Sequence, residues 1–315
     1  MATVKSYLSL VKFSHTIFAM PFALIGFALG VRDYSKYPYS LHGYAFHEIA
    51  QWNLTKTALG GDVDIIQIIN KLLLVLLCMI SARSAAMAFN RYLDRSFDAK
   101  NPRTAIREIP KGIISANSAL AFVVICCIVF IAATYFINTI CFYLSPVALF
   151  VVLFYSYTKR FTPLCHLVLG LGLALAPIGA YLAVTGRFDL LPLLFSFAVI
   201  FWVSGFDIIY ALQDIDFDQS QKLYSIPSVL GKAKALHVSE LLHVLSAACV
   251  IYAGFYGHFH WLYWIGIGVF AGMLIYQHSL VKPNDLSRVN IAFMTANGIA
   301  SVVFGVLVIL DIFIV

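Results

Sequence analysis

A chain of 315 residues with 61% hydrophobic and 11% charged residues, and a mean hydropathy of +0.88, is too apolar to be a soluble globular protein. Its apolar runs are continuous and about 20 residues long, without the alternation of barrel strands, so the fold class is all-α: a polytopic membrane bundle. The net charge of +6 reflects how cations are shared between the two membrane faces and gives no reason to expect nucleic acid as a partner.

Nine spans are expected, near residues 13–31, 65–89, 117–137, 139–157, 163–185, 189–210, 236–256, 259–280 and 290–314, all in one membrane domain over 1–315. The first run lacks a small-residue cleavage site behind a short apolar core and reads as a retained helix. Lys12 and His15 at its start are expected at the interface, where long cations snorkel. Residues 32–64, with Tyr34, Tyr37, Tyr39, His42, Tyr44, His47 and Trp52, read as an interfacial segment without identifiable chemistry. Only Asn138 and Thr139 separate the third run from the fourth. Two connections, 90–116 and 211–235, are polar and read as cap loops. Cys78, Cys126, Cys127, Cys141, Cys165 and Cys249 all fall inside apolar runs without CxxC or Cys/His spacing, which reads as packing. With the N-terminus inside, fifteen Lys and Arg lie on the cytoplasmic side, four outside and two within spans, so both cap loops are placed in the cytoplasm.

The carboxylates are few, and six of the fifteen lie in two short windows. Asn90, Asp94 and Asp98 are four apart, so a second helix that continues past the membrane edge stacks them on one face. Asp214 and Asp218 repeat the spacing at the end of the sixth span, with Asp207 seven residues earlier and Asp216 on another face. Each window precedes a polar loop holding a Pro and a Gly, "REIPKG" and "SIPSVLGK", which suggests a weak duplication of about 1–138 and 139–315 with the acidic ends facing one another. Oxygen donors from four Asp and one Asn suit a hard cation such as magnesium, which typically binds one or two carboxylates, waters and substrate phosphates. Arg103, Arg107, Lys111, Lys159, Arg160 and Lys222 would then complement a diphosphate.

These residues carry a resemblance to the UbiA superfamily of intramembrane aromatic prenyltransferases. NxxxDxxxD is matched by Asn90, Asp94 and Asp98, DxxxD by Asp214 and Asp218, and YxxxK by Tyr155 and Lys159. The Arg seven residues before the first motif is Arg83, and "RTxxR" after it is Arg103, Thr104 and Arg107. Arg91, where many members are acidic, and Lys222, where relatives often have Gly, depart from the pattern. The resemblance implies nine helices around a central cavity under two cytoplasmic caps, Mg2+ at the acidic motifs, and substrate contacts from Arg83, Arg103, Arg107, Tyr155, Lys159, Arg160 and Lys222.

Within the superfamily, "VKFSHTIFAMPFALIGFAL" and "NRYLDRSFDAKNPRTAIREIPKG" are most similar to the 4-hydroxybenzoate polyprenyltransferase-like branch. That branch implies a polyprenyl diphosphate donor, an aromatic acid acceptor, a ubiquinone or menaquinone route and a bacterial inner membrane. Cations and metal would stabilise the leaving diphosphate, a dry cavity would protect the allylic cation, and Asp94, Asp207 or Asp214 would take the ring proton. A CDP-alcohol phosphotransferase would need a DG and an AR between its aspartates, which "DRSFDAKNPRT" lacks. A cation-coupled transporter would place its carboxylates near the bilayer midplane rather than at the edge.

Overall fold

The computed structural model describes residues 3–11, 18–36 and 65–315. Lys12, His15 and most of the 32–64 connection lie outside the described residues. The chain forms α1 (Val4–Leu10), α2 (Met20–Lys36), α3 (Ile65–Leu93), α4 (Arg95–Lys100), α5 (Ala116–Ile137), α6 (Thr139–Thr158), α7 (Cys165–Thr185) and α8 (Leu190–Ala211). It continues through a 3-10 turn (Leu212–Asp214) to α9 (Ile215–Ser220), α10 (Ile226–Tyr256), α11 (Trp261–Leu280), a π-helical turn (Ile291–Ala296) and α12 (Asn297–Ile314). Among the described residues the one β pairing is the isolated bridge Lys282–Asp285. Seven helical segments are long and apolar enough to cross a membrane: α3, α5, α6, α7, α8 with α9, α10, and the π turn with α12. The other two expected spans correspond to α2 and α11.

Polar residues set the helix boundaries. Ser115 Oγ accepts from Ser118 N at 3.0 Å to start α5, and Asp189 Oδ1 accepts from Leu191 N at 3.1 Å to start α8. The N-terminus of α11 is capped from another helix: Asp311, buried on α12, accepts from His260 N and Tyr263 N at 2.9 and 3.0 Å. The 211–235 connection, expected as a loop, is largely helical. Ser225 and Ser228 form a capping box and Pro227 sits in the first turn, so α10 starts ten residues before the expected span. A left-handed Gly231 (φ 76°) kinks it, a conformation that a Cβ disfavours.

Asn138 both divides and joins. Its Oδ1 accepts from Cys141 N at 2.8 Å to cap α6, while its Nδ2 donates to Leu182 O at 2.8 Å and Ala183 O at 3.3 Å on α7. Asn138→Leu orphans these groups at about 1–3 kcal/mol. We expect a lower melting temperature for the detergent-solubilised protein, with specific activity before heating unchanged.

The bundle has a solid side and a hollow side. On the solid side α2, α8, α11 and α12 interlock through Phe22, Phe195, Trp202, Phe270 and Phe304, all fully buried and in mutual ring contact. α2 and α7 approach closely, since a Cβ on Gly26 would lie 2.0 Å from Pro177 O. On the hollow side α3, α5, α6 and α7 surround a cavity of about 360 Å³.

Candidate active site

Both acidic motifs sit where a long helix breaks into a short one. Asp94 (φ −90°, ψ 7°) lies between α3 and α4, and Asp214 (φ −106°, ψ 5°) ends the 3-10 turn before α9. Asp94 N still donates to Asn90 O at 2.9 Å and Asp98 N to Asp94 O at 2.8 Å, so the four-residue stacking survives the break. Asp98 and Asp218 each lie in the first turn of a short helix, where the helix dipole favours a carboxylate.

Four ion pairs join the windows to the expected basic residues, one acid to one base. Arg160 Nη2 lies 2.7 Å from Asp94, Arg107 Nη1 2.7 Å from Asp98, Arg103 Nη2 2.5 Å from Asp214 and Lys159 Nζ 2.7 Å from Asp218. Arg103 is bidentate, its Nε donating to the other Asp214 oxygen at 3.1 Å and its Nη1 to Tyr210 Oη at 3.1 Å. Because Arg103 follows the first motif and Asp214 belongs to the second, this pair brings the two acidic ends face to face. Asn101 Nδ2 reaches the same Asp214 oxygen at 3.4 Å.

The pairs are graded in depth. Side-chain exposure is 25% for Asp94 and 13% for Asp214 at the breaks, but 8% for Asp98 and 0% for Asp218 in the short helices. Burial raises the Asp94 pKa above that of an ordinary carboxylate, with Arg160 pulling it back. For Lys159 burial favours the neutral amine, yet Asp218 prevails and holds the ammonium above its usual range.

Among the described residues no three carboxylate, histidine or cysteine side chains converge as a metal cluster. The expected set of Asn90, Asp94, Asp98, Asp214 and Asp218 lies on two facing ends, with each carboxylate paired to its own cation. Asn90 Nδ2 donates to Asp94 Oδ2 at 3.2 Å, which ties the Asn to the first pair. An all-oxygen set offering one or two accessible carboxylates on each side fits magnesium shared with substrate phosphates better than a five-ligand protein cage.

The apolar cavity extends away from this charged end. Its walls run from Met87 and Tyr155 to Val75 and Cys141, about 20 Å at helical rise. Thr134 and Ser145 in the wall turn their hydroxyls to Ile131 O and Phe142 O of their own helices, both at 2.8 Å, so the lining stays apolar. Arg83, nearly three turns before the end of α3, and Tyr155, in the last turn of α6, are the polar exceptions. Arg83 Nε is buried without a hydrogen-bond partner, and an unsatisfied buried donor costs about 1–3 kcal/mol.

Lys222 stands apart from the other expected residues: it is exposed and left-handed (φ 54°) just after α9. Its backbone explains why a glycine would suit that position, and its side chain is absent from the ion pairs that hold the four carboxylates. Lys111 is exposed as well. Asp207 lies on α8 facing a residue that sequence reasoning missed, His166, whose Nδ1 is 2.7 Å from Asp207 Oδ2. No spacing signals this contact, since 41 residues separate the two.

Lys159→Gln tests the most buried pair. It leaves Asp218 with only its 3.0 Å bond from Ser225 Oγ, and an orphaned buried charge costs about 3–5 kcal/mol. We expect both a lower melting temperature and a loss of about tenfold or more in kcat/KM for a prenyl diphosphate. Adding Asp218→Asn should recover the melting temperature and leave the rate low.

Facing clusters of carboxylates and cations at one end of a membrane bundle, above an apolar cavity, define an intramembrane enzyme whose charged site adjoins an apolar one. The chain belongs to the UbiA prenyltransferase family, whose profile matches residues 57–299. It is 30% identical over 224 residues to a 4-hydroxybenzoate octaprenyltransferase of Tolumonas auensis, covering 71% of this chain and 78% of the relative. A protein of the same description from Paraburkholderia phymatum is 30% identical over 237 residues, 75% of this chain and 82% of the relative. Among solved structures, the apo UbiA homolog from Aeropyrum pernix superposes with a TM-score of 0.75 at 30% identity, covering 94% of this chain and 98% of that one. A UbiA homolog from Archaeoglobus fulgidus bound to DMAPP and Mg2+ shares the fold, with a TM-score of 0.67 at 19% identity, covering 98% of this chain and 100% of that one.

Proposed function

We propose that the protein transfers a polyprenyl group from its diphosphate to the ring of an aromatic acid of the 4-hydroxybenzoate type, making a quinone precursor at the cytoplasmic edge of a bacterial inner membrane. The observation that carries this reading is the junction at Arg83 and Tyr155, where the apolar cavity meets the four ion pairs. Relatives named 4-hydroxybenzoate octaprenyltransferase support the acceptor class.

The diphosphate sits among Arg103, Arg107, Lys159 and Arg160, and the hydrocarbon tail enters the cavity. Asp94 and Asp214, the more accessible acids, would hold magnesium with Asn90, Asp98 and Asp218 behind them; bound magnesium supplies Lewis-acid neutralisation of the leaving group. As the allylic C–O bond breaks, its electron pair leaves with the diphosphate, and the four cations are already in place to stabilise that charge. A ring carbon of the acceptor attacks the allylic cation, and the ring then loses its proton to a carboxylate. The apolar wall excludes water that would otherwise quench the cation. Arg83, with an unpartnered Nε in this wall, is matched to the acceptor's carboxylate.

The test is purified protein in lipid with a prenyl diphosphate and a panel of aromatic acids, read by mass spectrometry. A prenylated 4-hydroxybenzoate-type product is expected. Arg83→Leu should raise KM for the acid about tenfold or more, the value of a charged hydrogen bond, while the prenyl diphosphate KM holds. No prenylated acid from any member of the panel would overturn the reading.

A further inference from the structure

We propose that His166 is a positioning residue for Asp207, and that Asp207 so held is the carboxylate that takes up the ring proton. This rests on the aromatic transfer reading above. Of the three candidate bases, Asp94 and Asp214 are committed to the charged end, each paired with an arginine at 2.7 and 2.5 Å. Asp207 is instead held by an imidazole.

The environment fixes which ring nitrogen carries the proton. Ile226 N–H, the first of α10, points at His166 Nε2 at 3.4 Å, so Nε2 is the acceptor and Nδ1 carries the hydrogen donated to Asp207 Oδ2. The next residue is Pro227, which has no N–H, and Ile226 N–H is one of the donors that a helix start leaves without an internal partner. The imidazole therefore caps α10 with one nitrogen and aims the Asp207 carboxylate with the other. Ser204 Oγ on α8 donates to the His166 carbonyl at 3.0 Å, fastening the backbone beneath the ring to the helix that carries Asp207.

Position relative to the cavity points the same way. His166 is buried while Asp207 keeps 25% side-chain exposure, so the ring is structural and the carboxylate reachable. Leu169 and Leu173, three and seven residues further along the same face of α7, line the cavity. His166 occupies Oδ2 and leaves Oδ1 to accept the proton. The step balances: the ring C–H electron pair restores aromaticity, the proton moves to Oδ1, and Nδ1–H remains donated to Oδ2 throughout.

The experiment uses the full chain reconstituted in lipid, with a prenyl diphosphate and 4-hydroxybenzoate, ordinary and ring-deuterated. The variants are His166→Leu, His166→Gln, Asp207→Asn and the His166→Leu/Asp207→Asn pair, with rates normalised to folded protein. Asp207→Asn is expected to lower kcat about a hundredfold or more. His166→Leu should lower kcat about ten- to a hundredfold, with the prenyl diphosphate KM unchanged and a larger isotope effect than wild type. His166→Gln, whose amide offers an NH2 donor group and a carbonyl acceptor, should restore kcat to within a few fold of wild type and return the isotope effect. The double variant should be no slower than Asp207→Asn, because both act through one group. A His166→Leu rate equal to wild type per folded molecule, an unchanged isotope effect, or additive losses in the double variant would each overturn the proposal. If wild type prenylates no aromatic acid, the reading beneath fails instead, which is a separate result.

Discussion

Asp94→Ala is expected to lower kcat/KM about a hundred- to a thousandfold, the scale of losing one transition-state electrostatic contact, while the protein stays folded in the membrane. The fold should hold because Arg160 keeps other partners, donating to Ser156 O at 2.8 Å and Leu93 O at 3.3 Å, and because the site is partly open to solvent. Asp214→Ala is its counterpart across the site: Arg103 retains Tyr210 Oη, and the same large loss with an unchanged melting temperature is expected. Both residues cap a helix break without a side-chain capping bond, so alanine removes chemistry and leaves the local backbone alone. Activity within a few fold of wild type, at normal folded yield, would remove both residues from the metal and diphosphate site.

Removing divalent metal should have a still larger effect, stopping turnover, with added magnesium restoring it. Four cations already face the leaving group, but each is committed to a carboxylate, and the site's basic charge is thereby largely spent before substrate arrives. A diphosphate entering without metal meets as many negative as positive side chains. Measured as product formed in excess chelator and after titrating magnesium back, full activity in chelator would show that the arginines and lysine suffice alone.

The all-helical fold and the paired windows were legible in the sequence because both rest on strong periodic signals: spans of a bilayer's length, and Asp repeats at a helical turn. Asn138 was visible as the divider of two spans because it stands in the middle of a largely apolar stretch of about forty residues, although its bonds to α7 were not. The 211–235 connection reads as a loop in sequence but is largely helical in the structure. Ser225 and Pro227 are recognisable start signals for α10, but Gly231 a few residues later looks like a stop, and only the fold shows that the helix kinks there and continues. The breaks at Asp94 and Asp214 were hidden by the intact four-residue spacing that bridges them. The one-to-one pairing of these acids with Arg160, Arg107, Arg103 and Lys159 was not legible, because which cation lies nearest each carboxylate depends on how the helices pack. His166 was invisible for a different reason: a single histidine in an apolar run is indistinguishable from packing until the helix opposite it is in place.

The one-to-one matching of four carboxylates with four cations makes the resting site nearly electroneutral. Loading it with a divalent cation alone would leave excess positive charge in a partly desolvated place, and loading it with diphosphate alone would leave excess negative charge. Each ligand therefore offsets the charge that the other introduces, and by linkage each must tighten the other's binding by the same factor. Such a site discriminates by charge sum as well as by shape. A free prenyl alcohol or monophosphate, lacking the charge to balance metal, would be held poorly however well its tail filled the cavity.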